Sequence, residues 1–407
     1  MNRVAHRCFL SLLSLAFVVS LAVSSIPSNS GYSQNNRPVI TEIRGVWLTN
    51  VASGLFFVPW GVERALNQLA TLNFNTIYPV VWNRGYTFYN SALAKKVTGS
   101  ATLPLLRLIH GKMDFLVKLV KLSQAKGLNV IPWFEYGLMT PRNSALAYLH
   151  PDWLTTARGG INSDVGEGGI PHEEINNGVS NRIVWLNPLH PEVQKFIKGL
   201  IVEVVINYDV NGIQLDDHFG MPVQFGYDPF TLQLYQKEHQ GKNPPIDAFD
   251  VEWMRWRADK ITNFMAQIYQ AVKKVKPNAT ISLSPNSQEF SYKYYLQDWA
   301  NWVKKGLVDG LILQVYRDDR KSFIGELDKP ELKFARSKIP VGVGILTGTL
   351  THPVDINQIR EQVQIVRDRN FSGVSFFYWE SLWGYISPDA PQRRRRAFTQ
   401  MFAPKIN

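Results

Sequence analysis

The chain holds a single cysteine, Cys8, among 407 residues. That excludes a disulfide framework, a thiolate metal site and a thiol nucleophile from the rest of the sequence. Other signatures are missing as well. There is no G-x-S-x-G elbow of a serine hydrolase and no H-E-x-x-H pair of a zinc protease. Gly342, Gly344 and Gly348 lack the spacing of a dinucleotide-binding loop. Net charge is +11, yet neither zinc-finger spacing nor an RNP-type motif points to nucleic acid. The densest basic block, RRRR at 393–396, reads as the solvated face or end of a final helix. Ser123-Gln124-Ala125-Lys126 matches S-x-x-K, but it ends a helical stretch and lacks the S-D-N and K-T-G that accompany that motif in enzymes.

One apolar run stands out, Phe9 to Val23. It follows the basic stretch MNRVAHRC and precedes the small, polar SSIPSNSGYSQNN. This is the layout of a secretory signal peptide, and the run is short for a membrane span. Residues 1–33 are therefore expected to be a leader cleaved between Ala22 and Ser33, or an uncleaved anchor. Either way the protein is expected outside the cytoplasm, in the periplasm or beyond.

From residue 40 to 405, short β-rich runs alternate with amphipathic stretches. The runs are EIRGVWLTN, NTIYPVVW, LNVIPWFEY, NGIQLDD, ATISLSPN, DGLILQVY, IPVGVGIL and SGVSFFYW. Between them, apolar residues recur at three- and four-residue steps, and several helical stretches stop at Gly or Asn. Strict alternation implies parallel strands joined by helical crossovers. Eight units predict an α/β fold, a (β/α)8 TIM barrel, with its largest insertion between strands three and four. Within that insertion, the Gly- and Asn-rich residues 159–181 read as a mobile lid or as a surface loop.

The stretch NGIQLDDHFGMP places Asp216 and Asp217 side by side at the end of the fourth run. Alternation turns Ile213 and Leu215 toward the helices and Gln214 and Asp216 toward the interior. The pair then sits at the C-terminal rim, where TIM-barrel enzymes place their chemistry. The same argument brings Glu135, Asn286, Gln314, Tyr316, Tyr378 and Glu380 to that rim. Trp82, Trp133 and Trp379 join them, with His218 just beyond the pair and Arg44 beside the first strand. Carboxylates among aromatic faces suit cleavage of a glycosidic bond, which needs one protonated carboxyl and one ionised. Asp216, Asp217 and His218 could hold a metal. With no spaced second histidine motif, the pattern predicts no metal and no cofactor.

The motifs RGVWLTN, FNTIYPVVWNRGYTFYNS, WFEYG, HPDWL, WLNPLHPEV and GIQLDDHF resemble the glycosyl hydrolase-like family 10 proteins, from about Arg44 to Trp383. The resemblance implies a barrel acting on a carbohydrate outside the cytoplasm. Some members are implicated in cleaving peptidoglycan glycan strands. GIQLDDHF is also similar to the fourth-strand motif of the α-amylase superfamily, which puts Asp216 in the nucleophile's place. That superfamily's fifth-strand acid has no match in SLSPN, where Glu289 is the nearest carboxylate, and its seventh-strand acid has none in VGVGILTG. The expected enzyme is thus a glycosidase acting on a polysaccharide, with Asp216 as nucleophile or stabiliser, Asp217 tuning its pKa or contacting sugar hydroxyls, and Glu135 or Glu380 as acid. Arg44, Trp82, Trp133, His218, Asn286, Gln314, Tyr316, Tyr378 and Trp379 would bind substrate. A barrel that binds wall glycan without cleaving it is the alternative.

Overall fold

Each of the eight β-rich runs contributes to one parallel sheet. The computed structural model describes residues 42–160, 183–349, 351–383 and 388–403. The expected leader and most of the expected lid lie outside them. The strands are β1 Ile43–Leu48, β2 Thr76–Asn83, β3 in two pieces (Asn129–Val130 and Trp133–Phe134), β4 Gly212–Asp216, β5 Thr280–Ser284, β6 Gly310–Gln314, β7 Val341–Leu346 and β8 Gly373–Phe377. Each pairs in parallel with the next, and β8 pairs with β1 through Ile43 and Gly373. The sheet therefore closes, and the expected (β/α)8 barrel is what forms.

One crossover helix precedes each return strand. They are α1 Gly61–Thr71, α2 Phe115–Gln124, α3 Pro191–Asn207, α4 Val251–Val275, α5 Trp299–Lys304, α6 Pro330–Arg336 and α7 Ile356–Asp368, with α8 Pro391–Met401 following β8. α7 shows why. Asp355 caps it by accepting from the Asn357 N–H, and Ile356, Ile359, Val363 and Val366 form one buried stripe. Burying each such side chain is worth about 1.5–3 kcal/mol, and the cap about 1 kcal/mol.

Alternation sets the interior. Gln214 accepts a hydrogen bond from Trp47 Nε1 at 2.7 Å and donates one to Ser282 Oγ at 3.0 Å, so it points inward as expected. Two local irregularities redirect other side chains. Pro132 breaks β3, yet its carbonyl still accepts from the Gln214 N–H at 2.8 Å. In β2 the register shifts between Val80 and Trp82. A bulge of this kind reverses which residues face in. The loop after β3 carries the insertion, where Met139–Pro141 pairs antiparallel with Ile183–Trp185.

The arginine run divides as helical periodicity requires. Arg393, Arg395 and Arg396 are exposed on α8, but Arg394 is fully buried. Its guanidinium donates to the carbonyls of Leu382, Val354 and Thr347 and lies 3.4 Å from Asp389. Reading the whole run as solvated is corrected at this one position. Truncation there removes the donor to three buried carbonyls and one partner of the buried Asp389, which keeps Arg393 at 3.1 Å and the Ile356 N–H. Arg394→Ala is expected to cost about 3–5 kcal/mol in urea unfolding, while Arg395→Ala should stay within about 0.5 kcal/mol. Equal effects of the two would contradict this account of α8.

Candidate active site

The rim is assembled by register. Trp133 pairs with Gln214 and Phe134 with Leu215, so Glu135 comes level with Asp216 on the neighbouring strand. The contact is direct: the N–H of Tyr136, the next residue, donates to Asp216 Oδ2 at 3.0 Å. Tyr136 makes this turn at φ 58°. Gly137 follows at φ 37°, and a Cβ there would lie 2.9 Å from the His218 carbonyl. Only glycine lets the two strand exits pack so closely.

Asp216 is buried, with 1% of its surface exposed. Besides Tyr136, its carboxylate accepts from the His218 N–H at 3.0 Å, and His218 Nδ1 lies 3.3 Å away. Burial pushes its pKa up to about 6, with the neighbouring Asp217 adding to the rise, while His218 opposes it. Asp217 is half-buried and held from two sides. Asn286 Nδ2 donates to Oδ2 at 2.8 Å and Gln314 Nε2 to Oδ1 at 3.1 Å. Asn286 and Gln314, expected to bind substrate, thus fix this second aspartate.

Glu135 is also buried, and accepts from Thr49 Oγ1 at 2.9 Å and from Asn83 Nδ2 at 2.9 Å. Tyr316 joins the group. Burial pushes its phenol well above the ordinary value, and the charges of Asp217, Asp216 and Glu135 push it further. One phenol therefore feels all three carboxylates. Tyr316 stacks on Phe377 at 5.8 Å, and Phe377 meets Trp47 and Trp133 edge-on. The indole N–H groups of Trp133 and Trp379 are buried without a partner. Such donors are costly unless something accepts from them.

Glu380 sits in the turn after β8. It is bonded to Ser53 Oγ from the loop after β1, and its Oε2 is buried with no partner. Burial raises its pKa to about 7. This carboxyl belongs to the seam where the last strand meets the first, whereas Glu135, Asp216 and Asp217 gather between β3 and β6.

Three expectations are corrected. Arg44 lies at the N-terminal end of β1, where its Nε donates to the Asn73 carbonyl and its guanidinium lies 3.5 Å from Glu42. That is the opposite end of the barrel. Trp82 is fully buried, donates to the Gly137 carbonyl and meets Phe196 of α3 edge-on. The bulge in β2 turned it toward the helices and gave the rim to Asn83. Tyr378 is 3% exposed. The inward face of β8 belongs instead to Ser375, whose Oγ lies 3.4 Å from Tyr78 Oη, and to Phe377. The strand ends at Phe377, so alternation does not extend to Tyr378. Thr49, Ser53 and Asn83, absent from the sequence-based set, hold the candidate carboxylates. Asn83 closes β2 and Thr49 directly follows β1, which was the available signal.

Asp216, Asp217 and His218 offer ligand atoms within 4.8 Å of one another, the one such group among the described residues. The amide donors of Asn286 and Gln314 already occupy Asp217, an arrangement suited to fixing an anion rather than leaving its lone pairs to a cation.

Residues 42–366 match the glycosyl hydrolase-like 10 profile. The chain belongs to this family. It is similar to glycosyl hydrolase YngK of Bacillus subtilis, 22% identical over 345 residues that cover 74% of this chain and 58% of that protein. It also resembles glycosyl hydrolase DigH of Escherichia coli, 24% identical over 288 residues covering 62% of this chain and 56% of the other. The chain thus spans little more than half of these relatives. Among solved structures, it resembles the glycoside hydrolase domain of PgaB (BpsB) from Bordetella bronchiseptica, with a TM-score of 0.60, 14% identity, and 86% and 100% of the two chains covered. The catalytic domain of β-amylase from Paenibacillus polymyxa gives 0.57, 12%, 90% and 100%. At such identities the likeness is one of fold, and the glycosyl hydrolase-like 10 barrel here is the same barrel.

Because burial raises the Asp216 pKa, its contribution to stability is present at low pH and is lost as pH rises through about 6. Asparagine cannot ionise. Between pH 4 and pH 8, Asp216→Asn should therefore gain on wild type by about 2 kcal/mol. Urea unfolding at the two pH values measures this, and a difference independent of pH would refute the burial argument.

Proposed function

We propose that the protein hydrolyses O-glycosidic bonds of a polysaccharide outside the cytoplasm, with peptidoglycan glycan strands as the favoured substrate. The observation that carries this is the buried Asp216 at the C-terminal rim of the barrel, flanked by Asp217, level with Glu135 on the next strand and aimed by the Tyr136 and His218 N–H groups. Membership of the glycosyl hydrolase-like 10 family supports the reaction class. The leader-like Phe9–Val23 supports export.

In this reading Asp216 is the nucleophile or charge stabiliser at the anomeric carbon. The Tyr136 and His218 N–H groups aim it. His218 and Asp217 tune its ionisation from opposite directions. A second carboxyl gives its proton to the glycosidic oxygen as the C–O bond breaks, and water completes hydrolysis. Glu135 is the acid by position, level with Asp216. Glu380 is its rival, because it keeps its proton up to about pH 7. Trp133, Trp379 and Tyr316 supply faces and donors for sugar rings.

The test is release of reducing ends from purified peptidoglycan, and from other wall polysaccharides, by wild type and variants. Asp216→Asn should lower kcat about 10³-fold or more. The acid limb of kcat/KM should lie near 6, where Asp216 ionises. If Glu380 is the acid, an alkaline limb near 7 should vanish in Glu380→Gln. If Glu135 is the acid, Glu135→Gln should lose natural substrates yet keep aryl glycosides with good leaving groups. Binding of the polymer without any release would replace this proposal with that of a wall-binding barrel, a reading favoured by the absence of an acid in SLSPN at the end of β5.

A further inference from the structure

Beside the candidate carboxylates lies a second recess, of about 320 Å³, lined in part by Asn50, Asn83, Arg84, Tyr86, Asn143 and Ser144. Its walls come from the ends of β1 and β2 and from the insertion after β3. It adjoins the site through two residues. Asn83 donates to Glu135 Oε2 at 2.9 Å, and the Arg84 guanidinium lies 5.8 Å from the ring of Tyr136, whose N–H holds Asp216.

Two polar atoms of this recess lack a partner. Among the described residues Arg84 faces no carboxylate, and its Nε is buried without a partner. Asn83 is 1% exposed; its Nδ2 donates to Asn50 Oδ1 at 2.8 Å, while its own Oδ1 is buried and accepts nothing. Ser144 Oγ accepts from the Ala147 N–H and from Thr140 Oγ1, which leaves its own proton to donate. No carboxylate lines the recess. Gly85, at φ 80°, lets the chain turn here, since a Cβ would lie 2.6 Å from Thr140 Oγ1. A buried donor and a buried acceptor left unmet each cost about 1–3 kcal/mol. A ligand that meets both would offset that cost.

We propose that this recess is a subsite for a sugar residue bearing a carboxylate. The planar fork of Arg84 matches a carboxylate, with Ser144 as an added donor. The orphan Asn83 Oδ1 takes a sugar hydroxyl, which a simple anion does not offer. A single cation balances a single negative charge, so a doubly charged phosphate monoester fits less well. The inference rests on the glycosidase reading and deepens it: the polysaccharide is acidic, and the residue next to the scissile bond carries the charge.

The experiment is calorimetric binding at low and moderate salt by the full chain carrying Asp216→Asn, which prevents turnover. The probes are two pairs of tetrasaccharides. One consists of N-acetylated hexosamines with lactyl ether carboxylates, paired with its carboxyl-reduced form. The other consists of hexuronates, paired likewise, and a sulfated hexosamine tetrasaccharide serves as a further arm. In at least one pair the acid should bind at least tenfold tighter than its reduced form. Arg84→Gln should erase that preference while moving the reduced form less than twofold. Arg84→Lys keeps the charge without the fork and should retain part of the preference, which separates lost recognition from misfolding. No acid preference in either pair, or equal losses for acid and reduced forms in Arg84→Gln, would overturn the proposal. Tighter binding of the sulfated probe would overturn the carboxylate in favour of a sulfate ester. Arg84-dependent binding in a protein whose wild type cleaves nothing would leave the subsite standing and remove the glycosidase reading. Cleavage of neutral glycans as fast as acidic ones would do the reverse.

Discussion

A closed parallel barrel has no free edge, so its strands can present polar side chains only where the inward face reaches the rim. This constraint governs the molecule. Below the rim, the interior is filled by Trp47, Tyr78 and Gln214, and the one amide among them is satisfied by Trp47 and Ser282. At the rim, the same alternation delivers Glu135 from β3, Asp216 from β4 and Gln314 from β6. The acidic cluster is a product of register.

The cluster is expensive to hold. Desolvation disfavours the ionised form of Asp216 and Glu380 alike, and neighbouring carboxylates add repulsion. Backbone and amide donors offset this for the central group: Tyr136 and His218 for Asp216, Asn286 and Gln314 for Asp217, Thr49 and Asn83 for Glu135. Glu380 has one side-chain donor, Ser53, and the Leu55 backbone, and burial still pushes its pKa further, to about 7. Two environments on one rim thus raise Asp216 and Glu380 to different extents, the kind of separation that acid–base chemistry needs.

Much of this was legible in the sequence, and for physical reasons. Eight β-rich runs with helical spacers admit few topologies, and GIQLDD states its own alternation. The failures share one origin, in that alternation was carried through places where the backbone departs from it. A bulge after Val80 sent Trp82 to the helix layer and Asn83 to the mouth. The end of β8 at Phe377 removed Tyr378. Arg44 was read by nearness to a strand, without asking which end of it. Arg394 was lost in a run of four because only the helical phase distinguishes it from its neighbours. The recess around Arg84 was out of reach altogether. Its walls come from residues 50, 83–86 and 143–144, which no local pattern joins.

The bond between Ser53 and Glu380 spans 327 positions of the chain, and beside it the Trp379 N–H donates to the Trp47 carbonyl. The first and last strands of the barrel are thereby stitched at the rim itself. During synthesis the aspartates of β4 are made long before β8, yet the Glu380 seam cannot exist until the final strand has docked. A chain whose last strand has not docked therefore lacks this seam. The rim is complete only where the barrel is closed, and the site depends on the same seam as the fold.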